Sequence, residues 1–197
     1  MRYTLAMPFA EFTPNVVQAL ALLTIVGQVI ALALAALILT EIFGRRHTKA
    51  GGWIARWGLV ITFIVALTAT GGSLFFSEIA QWTPCKLCWF QRIFMYPQVP
   101  LLALALWRRD RRIASYIVFL CLIGMVFAAG HYAEQVRAAM EAVAGKGLTP
   151  CDPSGVSCAA TQIFKFGYIT IPLMAFTAFT MNTLTSVLML RHGKAQD

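Results

Sequence analysis

The 197-residue chain is poor in charge: Asp, Glu, Lys and Arg make up only 12% of it, about half the roughly 25% usual for soluble domains. That shortage excludes an ordinary cytosolic globule. It also excludes a disordered chain, because such chains are rich in charge and poor in apolar side chains, whereas 59% of this one is apolar. Acidic residues are the scarcest, 8 against 16 basic ones, for a net charge of +8. A nucleic-acid domain would need a soluble basic face, and a chain with so little soluble surface offers none; no nucleic-acid partner is expected. Cysteine is also sparse, with 5 residues, too few for a disulfide-dense secreted scaffold. No repeat of domain size is present, and the length suits one domain.

Long apolar sequence is what the chain has in abundance. Five stretches, 16–43, 57–79, 89–107, 113–132 and 166–190, approach the ~20 residues that a helix needs to cross a bilayer. The first is too long for the apolar core of a cleaved signal and is expected as a retained helix. The third is interrupted by Gln91, Arg92, Pro97, Gln98 and Pro100, so it must pack against neighbours that satisfy its freed backbone groups. Between the stretches, ten basic residues fall on one side (Arg45, Arg46, Lys49, Arg56, four arginines at 108–112, Arg191 and Lys194) and five on the other. The positive-inside rule makes the ten cytoplasmic, with the amino terminus outside and the carboxyl terminus inside. Two outer segments follow, 80–88 and 133–165. In the second, Val136, Met140 and Val143 recur at helical spacing beside an i, i+4 pair, Arg137 and Glu141. This reads as a short helix, either lying in the membrane interface or belonging to an ordinary loop.

Four of the five cysteines lie in those outer segments, Cys85 and Cys88 as C-x-x-C and Cys151 and Cys158 as C-x6-C. An oxidising compartment favours disulfides there over a zinc site, and no metal is expected. For Cys151 and Cys158 a structural staple stays open. A bridge across two intervening residues removes little unfolded-state entropy, so Cys85 and Cys88 read as a redox pair. Thr83 as N-cap and Pro84 at the first helical position would put Cys85 in the first turn of the third helix, where the helix dipole favours thiolate. Arg92 shares a helical face with both cysteines; it either snorkels to the headgroups or supplies a cation beside a developing anion. His131, with Gln135 one turn on, is either an interfacial anchor or a proton donor. Cys121 reads as an inert packing residue.

The run T-P-C-K-L-C-W-F-Q-R-I-F-M-Y-P at 83–97, a later cysteine pair, and F-G-Y-I-T-I-P-L-M at 166–174 together resemble the DsbB family of disulfide bond formation proteins, most of all its BdbC branch. The resemblance covers roughly 57–190. It implies an all-α integral membrane fold, a four-helix transmembrane bundle, to which this chain adds one N-terminal transmembrane helix. Residues 1–56 would hold that helix and a basic cytoplasmic loop, and 57–197 the redox bundle. The implied activity is reoxidation of a thioredoxin-fold, DsbA-like partner with delivery of the electrons to a quinone, ubiquinone or menaquinone, in a bacterial cytoplasmic membrane. Cys85 and Cys88 match the quinone-coupled pair, with Cys88 facing the quinone and Arg92 at its ring. Cys151 and Cys158 match the pair that exchanges with the partner, Cys151 forming the mixed disulfide. His131 and Gln135 match an H-x-x-x-Q pattern near the quinone. The extra first helix has no role in the family, and the second pair is more closely spaced than in the enterobacterial branch. Two other readings are an outward-directed reductase, which needs cysteines reachable from the cytoplasm, and a tetraspan-like scaffold with structural disulfides, which leaves Arg92 without a purpose.

Overall fold

The structure, a computed structural model, describes residues 12–143, 157–159 and 161–193. Six helices carry the fold: α1 (Thr13–Gly44), α2 (Lys49–Leu74, continued by a π-helical turn at Phe75–Ile79), α3 (Lys86–Met95), α4 (Gln98–Arg108), α5 (Ile113–Val143) and α6 (Ile171–Gly193). Outside them, Lys165 and Ile169 form an isolated antiparallel bridge. Four helices, α1, α2 with its π turn, α5 and α6, are long and apolar enough to cross a membrane. The protein is therefore a multi-pass membrane protein of all-α class.

The third apolar run is two helices of 10 and 11 residues, each too short to cross a hydrocarbon core of about 30 Å by itself. Pro97, which has no N–H to give, sits at the break. The Gln98 side chain repairs part of the damage by donating to the Phe94 carbonyl at 2.8 Å. Its Oε1 accepts from Asn182 Nδ2 at 2.9 Å and from the Cys121 thiol at 3.5 Å. The polar residues that weaken this run thus bind α4, α5 and α6 together, and Cys121 is buried in the core as expected.

Three boundaries differ from the apolar pattern, because hydropathy marks where a chain meets lipid rather than where its helix stops. The helix of the second run starts at Lys49, where Thr48 Oγ1 accepts from Gly51 N–H at 3.0 Å and caps it. The fourth runs on through Val143, so the separate helix expected in 133–165 is the end of α5. Nothing in 133–143 breaks a helix, and Arg137 bonds both Glu134 and Glu141 at 2.7 Å along it. The fifth begins at Ile171 rather than 166, because positive φ at Phe166 (54°) and Gly167 (79°) turns the chain first.

Helix α6 is central and packs on α5, α2 and α1. Phe179, Leu102, Ile117 and Ala128 form the main core, while Leu34 and Ile38 of α1 meet Met181 and Leu188 of α6. Leu32, Val126 and Trp107 are exposed, as lipid-facing side chains should be. At the basic end of the bundle, Glu41, which is 1% exposed, accepts from Thr48 N at 2.9 Å and Thr48 Oγ1 at 2.7 Å. His192 Nε2 lies 3.1 Å from the same carboxylate and Arg191 Nε 3.7 Å from it. The C-terminal ends of α1 and α6 are thereby clasped to the start of α2, and Cys85, Cys88 and Cys158 lie at the opposite end.

Candidate active site

The site begins where α2 widens. Ala80 N–H bonds the Phe75 carbonyl at 2.9 Å, closing the π turn, a local irregularity common at functional sites. Gln81 then takes a positive φ of 55°, and Trp82 stacks on Phe76 with ring centroids 5.0 Å apart. This fold-back delivers Cys85 as the N-cap of α3: its backbone is extended and its Sγ accepts from Cys88 N–H at 3.4 Å. The expected cap at Thr83 and helix start at Pro84 are thus displaced along the chain, because the sulfur itself takes the capping position.

Cys85 Sγ and Cys88 Sγ stand 3.1 Å apart, so closing a bond of about 2.05 Å requires about 1 Å of movement. The hydrogen bond that Cys85 donates to Cys88, and then burial, push the Cys85 thiol up to about 12. The helix start by itself favours thiolate at Cys85, and the donated hydrogen bond and burial act in the opposite direction.

His131, 2% exposed, is the hub of the site. Its Nδ1 lies 2.9 Å from Gln91 Nε2; its Nε2 lies 3.0 Å from the Cys158 carbonyl and 3.7 Å from Cys85 Sγ. With the Gln91 amide donating to Nδ1, the proton of the neutral ring rests on Nε2. One imidazole thus touches the C-x-x-C pair and the backbone of a cysteine from the second outer segment. Gln135 is buried one turn further along α5. Cys151 lies outside the described residues.

Arg92 does not turn outward. Its Nη2 donates to the Ser73 carbonyl of α2 at 3.2 Å, and its guanidinium sits 5.2 Å from the Trp89 ring and 5.8 Å from that of Tyr96. Tyr96 Oη bonds Ser73 Oγ at 3.0 Å. Arg92 and Cys88 line one side of a largely apolar cavity of about 320 Å³, with walls that include Phe76, Trp82 and Met95. His131 and Gln135 are not among its lining residues. The pair thus meets the cavity through Cys88 and His131 through Cys85, with Cys158 close to both.

Gln91, Ser73 and Tyr96 escaped sequence reasoning. Gln91 had a usable signal, since it follows Cys88 by three residues and so shares its helical face; Ser73 and Tyr96 had none. As metal ligands, Cys85, Cys88 and His131 offer atoms within 4.8 Å of one another, and so do Glu41, His47 and His192. In both clusters a histidine nitrogen is already committed, His131 Nε2 to the Cys158 carbonyl and His192 Nε2 to Glu41. The chemistry the sulfur cluster supports is thiol–disulfide exchange, with an imidazole N–H placed to hydrogen-bond a thiolate at Cys85.

Comparison with known proteins agrees. The family described as "Disulfide bond formation protein DsbB" matches residues 55–189. "Disulfide bond formation protein C" of Bacillus subtilis (strain 168) is 42% identical over 123 residues, covering 62% of this chain and 85% of the relative. "Probable disulfide formation protein C" of Halalkalibacterium halodurans is 40% identical over 131 residues, covering 66% and 90%. No solved structure matches. The family match takes in all four cysteines of the two pairs together with Gln91, Arg92 and His131, and it spans well over half of the sequence. The chain belongs to the DsbB family of disulfide bond formation proteins, and its activity is that of a membrane disulfide oxidoreductase.

Proposed function

We propose that the protein reoxidises a thioredoxin-fold, DsbA-like dithiol partner through Cys151 and Cys158, relays the electrons to Cys85 and Cys88, and passes them to a membrane quinone. The observation that carries this reading is the two-sided position of the C-x-x-C pair: Cys88 lines an apolar cavity with Arg92, while Cys85 meets His131, which also bonds Cys158.

A thiolate of the partner attacks Cys151, displacing Cys158. The partner's second thiol resolves the mixed disulfide, so the partner leaves oxidised and the loop pair is reduced. Thiolate from that pair attacks Cys85 of the closed C-x-x-C disulfide and Cys88 leaves; resolution closes the loop disulfide again and leaves Cys85 and Cys88 as dithiol. His131 Nε2–H, 3.7 Å from Cys85 Sγ, hydrogen-bonds the thiolate that Cys85 becomes as it leaves, and the two protons of the loop pair pass to the new dithiol. Two electrons and two protons then remain to be discharged. A quinone, when bound, supplies a lipid-soluble acceptor for both. The residues fit one: an apolar space of about 320 Å³ is within the range of small-molecule sites, and Arg92 is fixed at its edge by the Ser73 carbonyl, where it offers a cation to a developing anion. His131 and Gln135, matched by the resemblance to positions near the quinone, are not among the residues that line this cavity, and His131 meets Cys85 instead.

In this reading α3 and α4 together make the third crossing of a four-helix redox bundle (57–197), α1 is an addition in the unit 1–56, and the basic end is cytoplasmic. Among the described residues no cysteine lies at the basic end, and mid-bundle Cys121 is buried, which disfavours an outward-directed reductase.

The test is quinone reduction by the purified full-length protein in detergent, with a reduced thioredoxin-fold protein and a soluble quinone. Cys88→Ser is expected to reduce partner-dependent turnover to background, and Arg92→Ala to raise the quinone KM about tenfold, the loss of one charge-assisted contact of about 1.4 kcal/mol. Wild type without partner-dependent reduction overturns the oxidase reading.

A further inference from the structure

Helix α1 lies wholly ahead of the family match, which starts at residue 55, yet it forms part of the acceptor cavity. Leu20, Leu23, Thr24, Gly27 and Ile30 of α1 line the same space as Cys88 and Arg92. They recur every three to four residues, so one continuous stripe of α1 faces the cavity. The helix is seated there closely. A Cβ on Gly27 would come within 3.1 Å of Thr177 Cγ2 on α6, and one on Gly72 of α2 within 3.0 Å of Leu20 Cδ1; absence of side chains at those two points lets α1 lie against both α6 and α2. Leu23, Val26 and Ile30 line the cavity and are also 43–55% exposed, so the space opens along α1 toward the lipid-facing surface. The polar groups sit elsewhere: Cys88 and Arg92 come from α3, whereas the α1 stripe is apolar apart from Thr24, whose hydroxyl is spent on the Leu20 carbonyl at 2.8 Å.

We infer that α1 is the tail-binding wall of the acceptor site: it holds the apolar chain of a polyprenyl quinone while Cys88 and Arg92 face the headgroup. This rests on the quinone reading above and deepens it. An apolar stripe with no free polar group cannot recognise a quinone ring, but it buries hydrocarbon well. The added helix therefore selects for tailed acceptors, without touching the sulfur chemistry.

The test is equilibrium binding to the full-length protein in detergent, read by quenching of tryptophan fluorescence, with two quinones that share a headgroup and differ in having or lacking a prenyl chain. The variant Leu23→Ala/Ile30→Ala is expected to lose about tenfold in affinity for the tailed quinone and less than twofold for the tail-less one. A tailed quinone carrying a diazirine on its chain is expected to label peptides from 20–30 on irradiation, a readout that does not depend on any variant folding. Equal affinities in wild type and variant, with label only on α2 and α6, overturn the role of α1 and leave the quinone reading standing. Failure of wild type to bind either quinone overturns both.

Discussion

The two ends of the bundle are both closed by buried polar groups around a histidine, and they are built to opposite purposes. At the basic end a carboxylate is saturated: Glu41 takes two hydrogen bonds from Thr48 and faces His192 and Arg191. Two donors from Thr48 and the Nε2 of His192 converge on the one carboxylate, with Arg191 Nε 3.7 Å away, so opening the cluster exposes a charge. At the sulfur end, His131 is fixed on one nitrogen by Gln91 and shares the other between a carbonyl and a thiol 3.7 Å away. Sulfur is a weak hydrogen-bond partner, so the cysteines are positioned without being held, as exchange requires. The same residue type secures one end and leaves the other free to react.

The sharpest way to break this contrast is at His131. His131→Ala removes the N–H donor at Cys85 and the tie to Cys158, and turnover is expected to fall about 100-fold, the low end for losing one hydrogen-bond donor to a developing anion. Quinone reduction at saturating partner measures it, with thermal unfolding in detergent recorded alongside. A loss of less than threefold would make His131 a structural clasp like His192.

The converse holds for Glu41. Glu41→Ala leaves the Thr48 donors and His192 without their acceptor, at a cost of about 2 kcal/mol, seen as a lower unfolding midpoint. Turnover measured well below that midpoint should stay within twofold of wild type. A large loss of activity with an unchanged midpoint would mean that the clasp acts on the sulfur end.

Much of this was readable from residue order alone. Apolar runs marked the four helices long enough to cross a membrane and a fifth run that is two short helices, and the spacing of Cys85, Cys88 and Arg92 put the three on one helical face, of which Cys88 and Arg92 line the cavity and Cys85 does not. What escaped were facts about partners distant in the chain. Gln91 looked like an interruption of an apolar run, because nothing local says that it meets His131 forty residues later. Glu41 is one acid in a long apolar stretch until α6 brings up His192, 151 residues away. Hydropathy likewise made α1 a crossing but could not say which helices it covers, since its lipid-facing and cavity-facing side chains are equally apolar. The cap at Cys85 was missed for a smaller reason: a thiol is a poor capping group by propensity, and only the fold-back through Gln81 puts it in that place.

The smallest effect is expected between the two ends, at the polar contact that joins α4 to α6. Asn182 Nδ2 donates to Gln98 Oε1 at 2.9 Å, while Asn182 Oδ1 is buried with no partner among the described residues. Asn182→Leu removes one hydrogen bond, worth about 0.6 kcal/mol inside a membrane bundle, and also removes the unpaired oxygen, which offsets part of that loss. Gln98 Oε1 keeps the Cys121 thiol, and its amide keeps the Phe94 carbonyl. The unfolding midpoint should therefore barely move, and turnover should not move at all. Gln98→Leu is the contrasting variant, because it leaves that carbonyl bare beside Pro97 and is expected to cost about 1–3 kcal/mol. If Asn182→Leu proved as damaging as Gln98→Leu, the break between α3 and α4 would depend on α6 for its shape, and the middle of the bundle would belong with the saturated end rather than stand apart from both.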